Sequence, residues 1–320
     1  MKNKFNEIFV CGSIVYDRIM NFPGKFSDHI LPDKIHILNV SFALDRLSES
    51  YGGTAGNIAY NLALLGERPK LFGAAGTDFE KYADWLKQNG VDIKNVKIDN
   101  DGLTSSCYIM TDRSDNQITG FYPGSKMQPL LPSLSGKSSL AIVSPDAVAR
   151  MIEYVKIFKR FKTPYIFDPG QQITSLSAKE LKWSAKGAKV LIGNDYEIEL
   201  ILKKTGLKMA ALIKMAEILV ITKGEKGSEI YNQGHRRSGA SEKIVIQPAK
   251  PKKVLDPTGA GDSYRAGFMK GLIMDWPLEK CGRLAAVVAV YTVEKYGTQT
   301  HTFSWGELEK RYRENYGEKL

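Results

Sequence analysis

The sequence predicts a doubly wound α/β fold, a mainly parallel sheet with helices on both faces and a small β-sheet lid, and three observations carry the prediction. Short apolar runs alternate with helical segments through the second half of the chain. Two glycine-rich turns, one at Gly52-Gly53 and one at Gly259-Ala260-Gly261, each open a helix. Stretches of period-two alternation between the early helices suit a small sheet standing off the main body.

Taken in order, Ile8-Phe9-Val10-Cys11-Gly12 is a short apolar run ending in glycine, as a central parallel strand does. From Ile14 to Ser50 the pattern breaks into alternating segments interrupted by Pro23, Gly24 and Pro32, assigned to the lid. Tyr51 to Asn57 opens a helix with Thr54 as its expected N-cap, Ile58, Leu62 and Leu65 spaced for burial, and Gly66 at its end. A strand over 69–73 and an amphipathic helix over 79–90 follow. Ser105 to Thr111 and Ile118 to Tyr122, joined by polar residues 112–116, predict a hairpin that completes the lid. The chain then alternates: strand 140–143, helix 148–158, strand 165–167, helix 178–185, strand 190–192, and a helix from Tyr196. Asp168, Gln171, Gln172, Asn194 and Glu197 fall just after strands, where open α/β sheets bind ligands. The last stretches are a strand before Thr222, a strand-turn-helix unit from Val254, and an apolar helix from Leu278 to Tyr296. We expect one domain over residues 1–320, with a lid from about 14–50 and 104–123.

Composition narrows the function. At 43% hydrophobic and 25% charged, with no apolar run of membrane-spanning length, the chain reads as a soluble globular protein without a membrane partner. Its start lacks a secretory apolar segment, and Cys11, Cys107 and Cys281 lack zinc or disulfide spacing, so a cytoplasmic protein with reduced thiols is expected. The charge of +10 is spread along the chain among 35 acids, which argues against a nucleic-acid partner. Its densest part, His235 to Lys253, reads as a solvated loop. Gly12-Ser13-Ile14-Val15-Tyr16-Asp17 replaces the G-x-G-x-x-G of dinucleotide binders, and no P-loop pattern occurs.

The most informative stretch is Asp256-Pro257-Thr258-Gly259-Ala260-Gly261-Asp262. Bare backbone at a helix start gathers unpaired N–H groups and the positive end of the helix dipole, a site suited to phosphate. Asp262 places a carboxylate beside that site, as a base taking the proton of an attacking hydroxyl would be placed. A Gly-X-Gly-Asp by itself is equally a tight turn with a capping aspartate.

With the small residues Ala266, Gly267 and Gly271 behind it, this stretch resembles the C-terminal motif of the ribokinase (PfkB) family. The resemblance implies a ribokinase-like fold and ATP-dependent phosphorylation. Gly259, Ala260 and Gly261 would form the anion hole and Asp262 the catalytic base. Gly52, Gly53 and Asn57 resemble the family's N-terminal motif and would meet the acceptor's hydroxyls. Asn194-Asp195-Tyr196-Glu197 resembles its N-x-x-E element, placing Asn194 near the nucleotide and Glu197 near Mg²⁺ through water. Thr222, Lys223, Gly224 and Gly227 would border the ATP phosphates. ATP and Mg²⁺ are the implied cofactors, with activation by K⁺, a property of several members, left open.

Finer likeness extends over nearly the whole chain. Gly12-Ser13-Ile14 with Asp17, Phe22 to Ser27, Phe121-Tyr122-Pro123-Gly124, Asp168-Pro169 with Gln171-Gln172, and Tyr264 to Phe268 together resemble the bacterial adenosine kinases of that family. This implies that Asp17 and Asn57 hold the ribose 2′- and 3′-hydroxyls, Ser13 and Gln172 approach the base, and Phe121 stacks on it. Cys107 stands where a second aromatic is expected. The expected activity is transfer of phosphate from ATP to the 5′-hydroxyl of a ribonucleoside, adenosine first. A broad nucleoside kinase or a sugar or sugar-phosphate kinase of the same fold is the alternative. An exposed lid sheet further suggests a homodimer paired through the lid.

Overall fold

The computed structural model describes residues 4–320 apart from 115, 126, 128–129, 133–137 and 234–240. The chain opens with β1 (Glu7–Cys11), β2 (Val15–Asn21) and β3 (Arg46–Gly52), then α1 (Thr54–Leu64), β4 (Lys70–Ala75), α2 (Glu80–Gln88) and β5 (Asp92–Ile98). The hairpin β6 (Ser105–Thr111) and β7 (Gln117–Tyr122) follows. Next come β8 (Ser139–Val143), α3 (Val148–Arg160), β9 (Tyr165–Phe167), α4 (Ala178–Ala185), β10 (Val190–Asn194), α5 (Asp195–Thr205), α6 (Met209–Ile213) and β11 (Ile218–Thr222). The chain closes with β12 (Ser228–Asn232), β13 (Glu242–Ile246), α7 (Ala260–Ile273), α8 (Leu278–Val293) and α9 (Trp305–Tyr316).

Nine strands form one sheet in the order β13-β12-β11-β10-β9-β8-β1-β4-β5. From β5 to β11 every pairing is parallel, while β12 and β13 join antiparallel at one edge. The central strands β8, β9 and β10 are apolar but for Ser139 at the start of β8 and Asn194 at the end of β10, because both faces are covered. On one face Val10, Leu140, Ile166 and Val220 pack under α1, α7 and α8; on the other, Phe9, Val143, Phe167 and Leu219 pack under α3, α4 and α5. Within the first layer α7 and α8 approach closely, since a Cβ on Gly267 would lie 2.7 Å from Ala285 Cα.

The second sheet has four strands in the order β3-β2-β6-β7, with β2 and β6 parallel. Its near end packs on α2 through the rings of Tyr16, Tyr51 and Tyr82. Its far end is closed by Phe22, Phe26, His29 and Phe42.

Several expectations are corrected. Residues 254–257 form no strand, so α7 is entered from an irregular loop. Thr54 is the first residue of α1 and Gly53 its N-cap; Ser13 takes over the capping, its Oγ accepting from Thr54 N and its carbonyl from Ala55 N. α8 ends at Val293, three residues before Tyr296. The basic stretch is only partly loop, because Lys243 lies in the edge strand β13; His235, Arg236 and Arg237 lie outside the described residues. Edge strands β5 and β13, and β12 beside the latter, escape the periodicity argument because charged and polar residues interrupt them, as strands at a solvated margin require.

Candidate active site

A cavity of about 580 Å³ opens between the two sheets, at the carboxyl ends of the central parallel strands. Ser13, Asp17, Gly53, Asn57, Phe121, Gln172, Gly259 and Asp262 all line it. Residues more than 240 positions apart are thus brought to one space by the parallel topology, which delivers every strand end to the same edge.

The lid sheet supplies one wall. Asp17 of β2 stands in register with Cys107 of β6, and Cys107 with Phe121 of β7, so one face presents a carboxylate, a thiol and a ring in a row. Phe121 is 59% exposed, a large ring with nothing yet to cover it. Cys107 does take the cavity-facing position, and its neighbour Tyr108 turns to the opposite face, where its hydroxyl accepts from Arg18.

The double glycine has a steric cause. A Cβ on Gly52 would lie 2.2 Å from Asp17 Oδ2, so only a bare backbone lets that carboxylate lie against β3. Gly53 has φ +85°, and a Cβ there would lie 2.6 Å from Ser13 O. Burial, then repulsion from Asp256, pushes the Asp17 carboxyl up to about 6.

Asp262, in the first turn of α7, accepts a hydrogen bond from Asn57 Nδ2 at 2.8 Å. Burial pushes its carboxyl up to about 7, against the pull of Arg265 and the Asn57 hydrogen bond. Gly259 enters the helix at φ +78°. The Ala260 amide donates to Pro257 O at 3.2 Å, whereas those of Gly259, Gly261 and Asp262 have no backbone acceptor among the described residues. The open donors at this helix start therefore differ from the expected trio in one member, Asp262 standing in for Ala260.

Below the turn, Arg265 is buried and donates from Nη2 to Asp168 Oδ1 at 2.7 Å, with Glu197 Oε2 3.8 Å from the same nitrogen. Glu197 also closes a capping box with Asn194, accepting from its N–H at 2.8 Å. Asn194 and Thr222 are register partners at the ends of β10 and β11. Gly224 and Gly227 form the turn beyond, where Lys223 N donates to Gly227 O, and the Lys223 ammonium pairs with Glu229 at 2.6 Å. This group shares the carboxyl edge with the cavity but does not line it, and neither do Gly52, Ala260 and Gly261.

Asp146, Arg150 and Thr298 line the cavity without having been assigned a role, and so does Thr258 of the Asp256 to Asp262 stretch. Asp146 follows β8 as Asp168 follows β9, so the same strand-end rule reaches it. Arg150 holds Asp146 in a buried pair and donates from Nη1 to Ser125 O at 2.9 Å, anchoring the chain that returns from β7. Thr298 belongs to a turn after α8 that carries no local mark of function.

As for metal, the described residues contain no group of three or more His, Cys, Asp or Glu side chains able to hold an ion. Glu197 is already engaged by Arg265 and the Asn194 cap, so a Mg²⁺ carried by nucleotide phosphates and water would have it as an outer neighbour.

A helix start with open amides beside a raised carboxyl, facing a lidded cavity, is an arrangement suited to phosphoryl transfer to a hydroxyl. The chain belongs to the pfkB family of carbohydrate kinases, whose model matches residues 12–304. It is 35% identical over 289 residues to a nucleoside kinase of Methanothermobacter thermautotrophicus, covering 87% of this chain and 90% of that one. It is similar in structure to the Burkholderia thailandensis nucleoside kinase in complex with inosine, with a TM-score of 0.82, 31% identity, and coverage of 98% of this chain and 99% of that one. The Methanocaldococcus jannaschii nucleoside kinase gives a TM-score of 0.84 at 28% identity, covering 98% of this chain and all of that one.

Proposed function

We propose that the protein transfers the γ-phosphate of ATP to the 5′-hydroxyl of a ribonucleoside, with adenosine as the first substrate. The single observation that carries this is the cavity in which Asp17, Asn57, Phe121, Gln172 and Asp262 converge. Asp17 and Asn57 offer a carboxylate and an amide to a vicinal diol, Phe121 an open ring face to a flat base, and Ser13 and Gln172 polar groups to its edge. The likeness to nucleoside kinases supports the same reading.

In this reading Asp262 accepts the proton of the 5′-hydroxyl as that oxygen attacks the γ-phosphorus, while the amides of Gly259, Gly261 and Asp262 stabilise the charge gathering on the transferred group. Asn194, Thr222, Lys223, Gly224 and Gly227 border the nucleotide. Mg²⁺ neutralises phosphate charge when bound, with Glu197 as its outer neighbour. The four-stranded sheet closes over the acceptor. The molecule pairs with a second copy through that sheet, because Leu47, Met20, Met110 and Ile118 are in register across all four strands on the face turned from the cavity, with Leu47 68% and Ile118 45% exposed.

The cavity-facing Cys107 leaves room for broader base selection, so a single ATP-coupled assay across adenosine, inosine, cytidine, ribose and fructose 6-phosphate is the deciding test. Nucleosides should be turned over at least tenfold more efficiently than ribose or fructose 6-phosphate; a preference for either of the latter overturns the substrate reading. Asp262→Asn should lower kcat by about 10³-fold or more with nucleoside affinity nearly intact, and retained turnover would remove the assigned base.

A further inference from the structure

We infer that Gln299 is a positioning residue for the proposed base, fixing which end of the Asn57 amide faces Asp262. The inference rests on Asp262 acting as the base, as argued above. Asn57 is 4% and Gln299 3% exposed, so both amides are held mainly by protein partners. Trp85 Nε1 lies 3.2 Å from Gln299 Oε1, and an indole N–H can only donate, so Gln299 must turn its oxygen to Trp85. The Tyr82 hydroxyl donates to Gly52 O at 2.8 Å, so it can only accept from Gln299 Nε2, at 2.5 Å. Two independent groups therefore set the same orientation. Gln299 Nε2 then also donates to Asn57 Oδ1 at 3.0 Å, which leaves Asn57 Nδ2 to donate to Asp262 Oδ2 at 2.8 Å. Every donor in the chain from Trp85 to Asp262 points the same way.

The consequence is chemical. An amide N–H held on a carboxylate favours its ionised form and anchors one oxygen, leaving the other for the substrate proton; a reversed amide would put oxygen against oxygen and favour the protonated, inactive form. Around Asp262 the other charged or titratable groups are Arg265 on α7, Asp168 after β9, Asp17 on β2 with Asp256 behind it, and Glu197 on α5 through Arg265. Tyr82 on α2 touches Gln299, and His301 reaches Asn57 only through Asn61. The variants below leave all of these in place; Gln299→Glu alone adds a charge, whose repulsion raises Asp262 as amide reversal does, so the neutral variants Gln299→Met and Trp85→Phe decide.

The experiment is the pH dependence of kcat/KM for a nucleoside with MgATP in Gln299→Glu, Gln299→Met and Trp85→Phe. A glutamate at 299 can accept from Trp85 but has no N–H for Asn57, so the Asn57 amide reverses. The acid limb should move up by about one pH unit in Gln299→Glu, and less in the same direction in Gln299→Met and Trp85→Phe. A loss of about tenfold near pH 6.5 should recover by pH 9, whereas general loosening of the fold lowers the profile at every pH. Trp85→Phe keeps the ring stacked on Tyr51 and Tyr60 and guards against a glutamine variant that fails to fold. An unmoved acid limb in the folded variants overturns the inference. If Asp262→Asn abolishes turnover at the same time, the base assignment survives without it; if Asp262→Asn stays active, it is the base reading that fails.

Discussion

At the scale of the residue, the raised carboxyl of Asp262 and the close contact at Gly52 each carry a prediction. Asp262 is raised to about 7 by burial, so folding favours its protonated form and the site gives up stability as pH rises from the unfolded carboxyl range through 7. Asp262→Asn removes that penalty, and its melting temperature should exceed the native one at pH 8, with the difference vanishing below pH 4. Thermal unfolding at the two pH values checks this, and equal melting temperatures at pH 8 would mean that burial does not strain the carboxylate. Gly52 is the second case. Alanine there would drive a methyl into Asp17 Oδ2, which must move, so Gly52→Ala should raise the KM for the nucleoside at least tenfold while kcat changes far less.

At the scale of the element, α7 carries both the proposed base and a packing constraint. Its first turn holds the open amides and Asp262, and its middle presses Gly267 against the Ala285 backbone of α8. Backbone cannot yield as a flexible side chain can, so Gly267→Val should cost about 2–3 kcal/mol in denaturant unfolding. The displacement would travel along a stiff helix to Asp262, so kcat should fall with stability. A stable variant with full activity would show that α8 does not set the position of α7.

At the scale of the molecule, the parallel sheet gathers strand ends into one site, and the second sheet covers it. The apolar row on that sheet makes oligomeric state testable: light scattering should give a dimer for the native chain, as proposed, and a monomer for Leu47→Glu with Ile118→Glu. A native monomer would end the pairing proposal.

Much of this was legible in the residues. Alternating apolar runs located the central strands, because a strand buried on both faces must be apolar along most of its length. Gly52-Gly53 and the turn before Asp262 marked themselves because only glycine tolerates those contacts and angles. The edge strands stayed hidden because solvated edges carry no such pattern. The sequence alone thus determined the fold class and singled out many of the residues that meet at the cavity, which local composition records. Tertiary structure alone decided that Thr54 yields its capping role to Ser13, that Arg150 and Thr298 line the cavity, and that Gln299 reaches Asn57 across 242 positions. Those depend on which distant segments become neighbours, and a hydrogen bond leaves no periodicity in the chain to announce its partner.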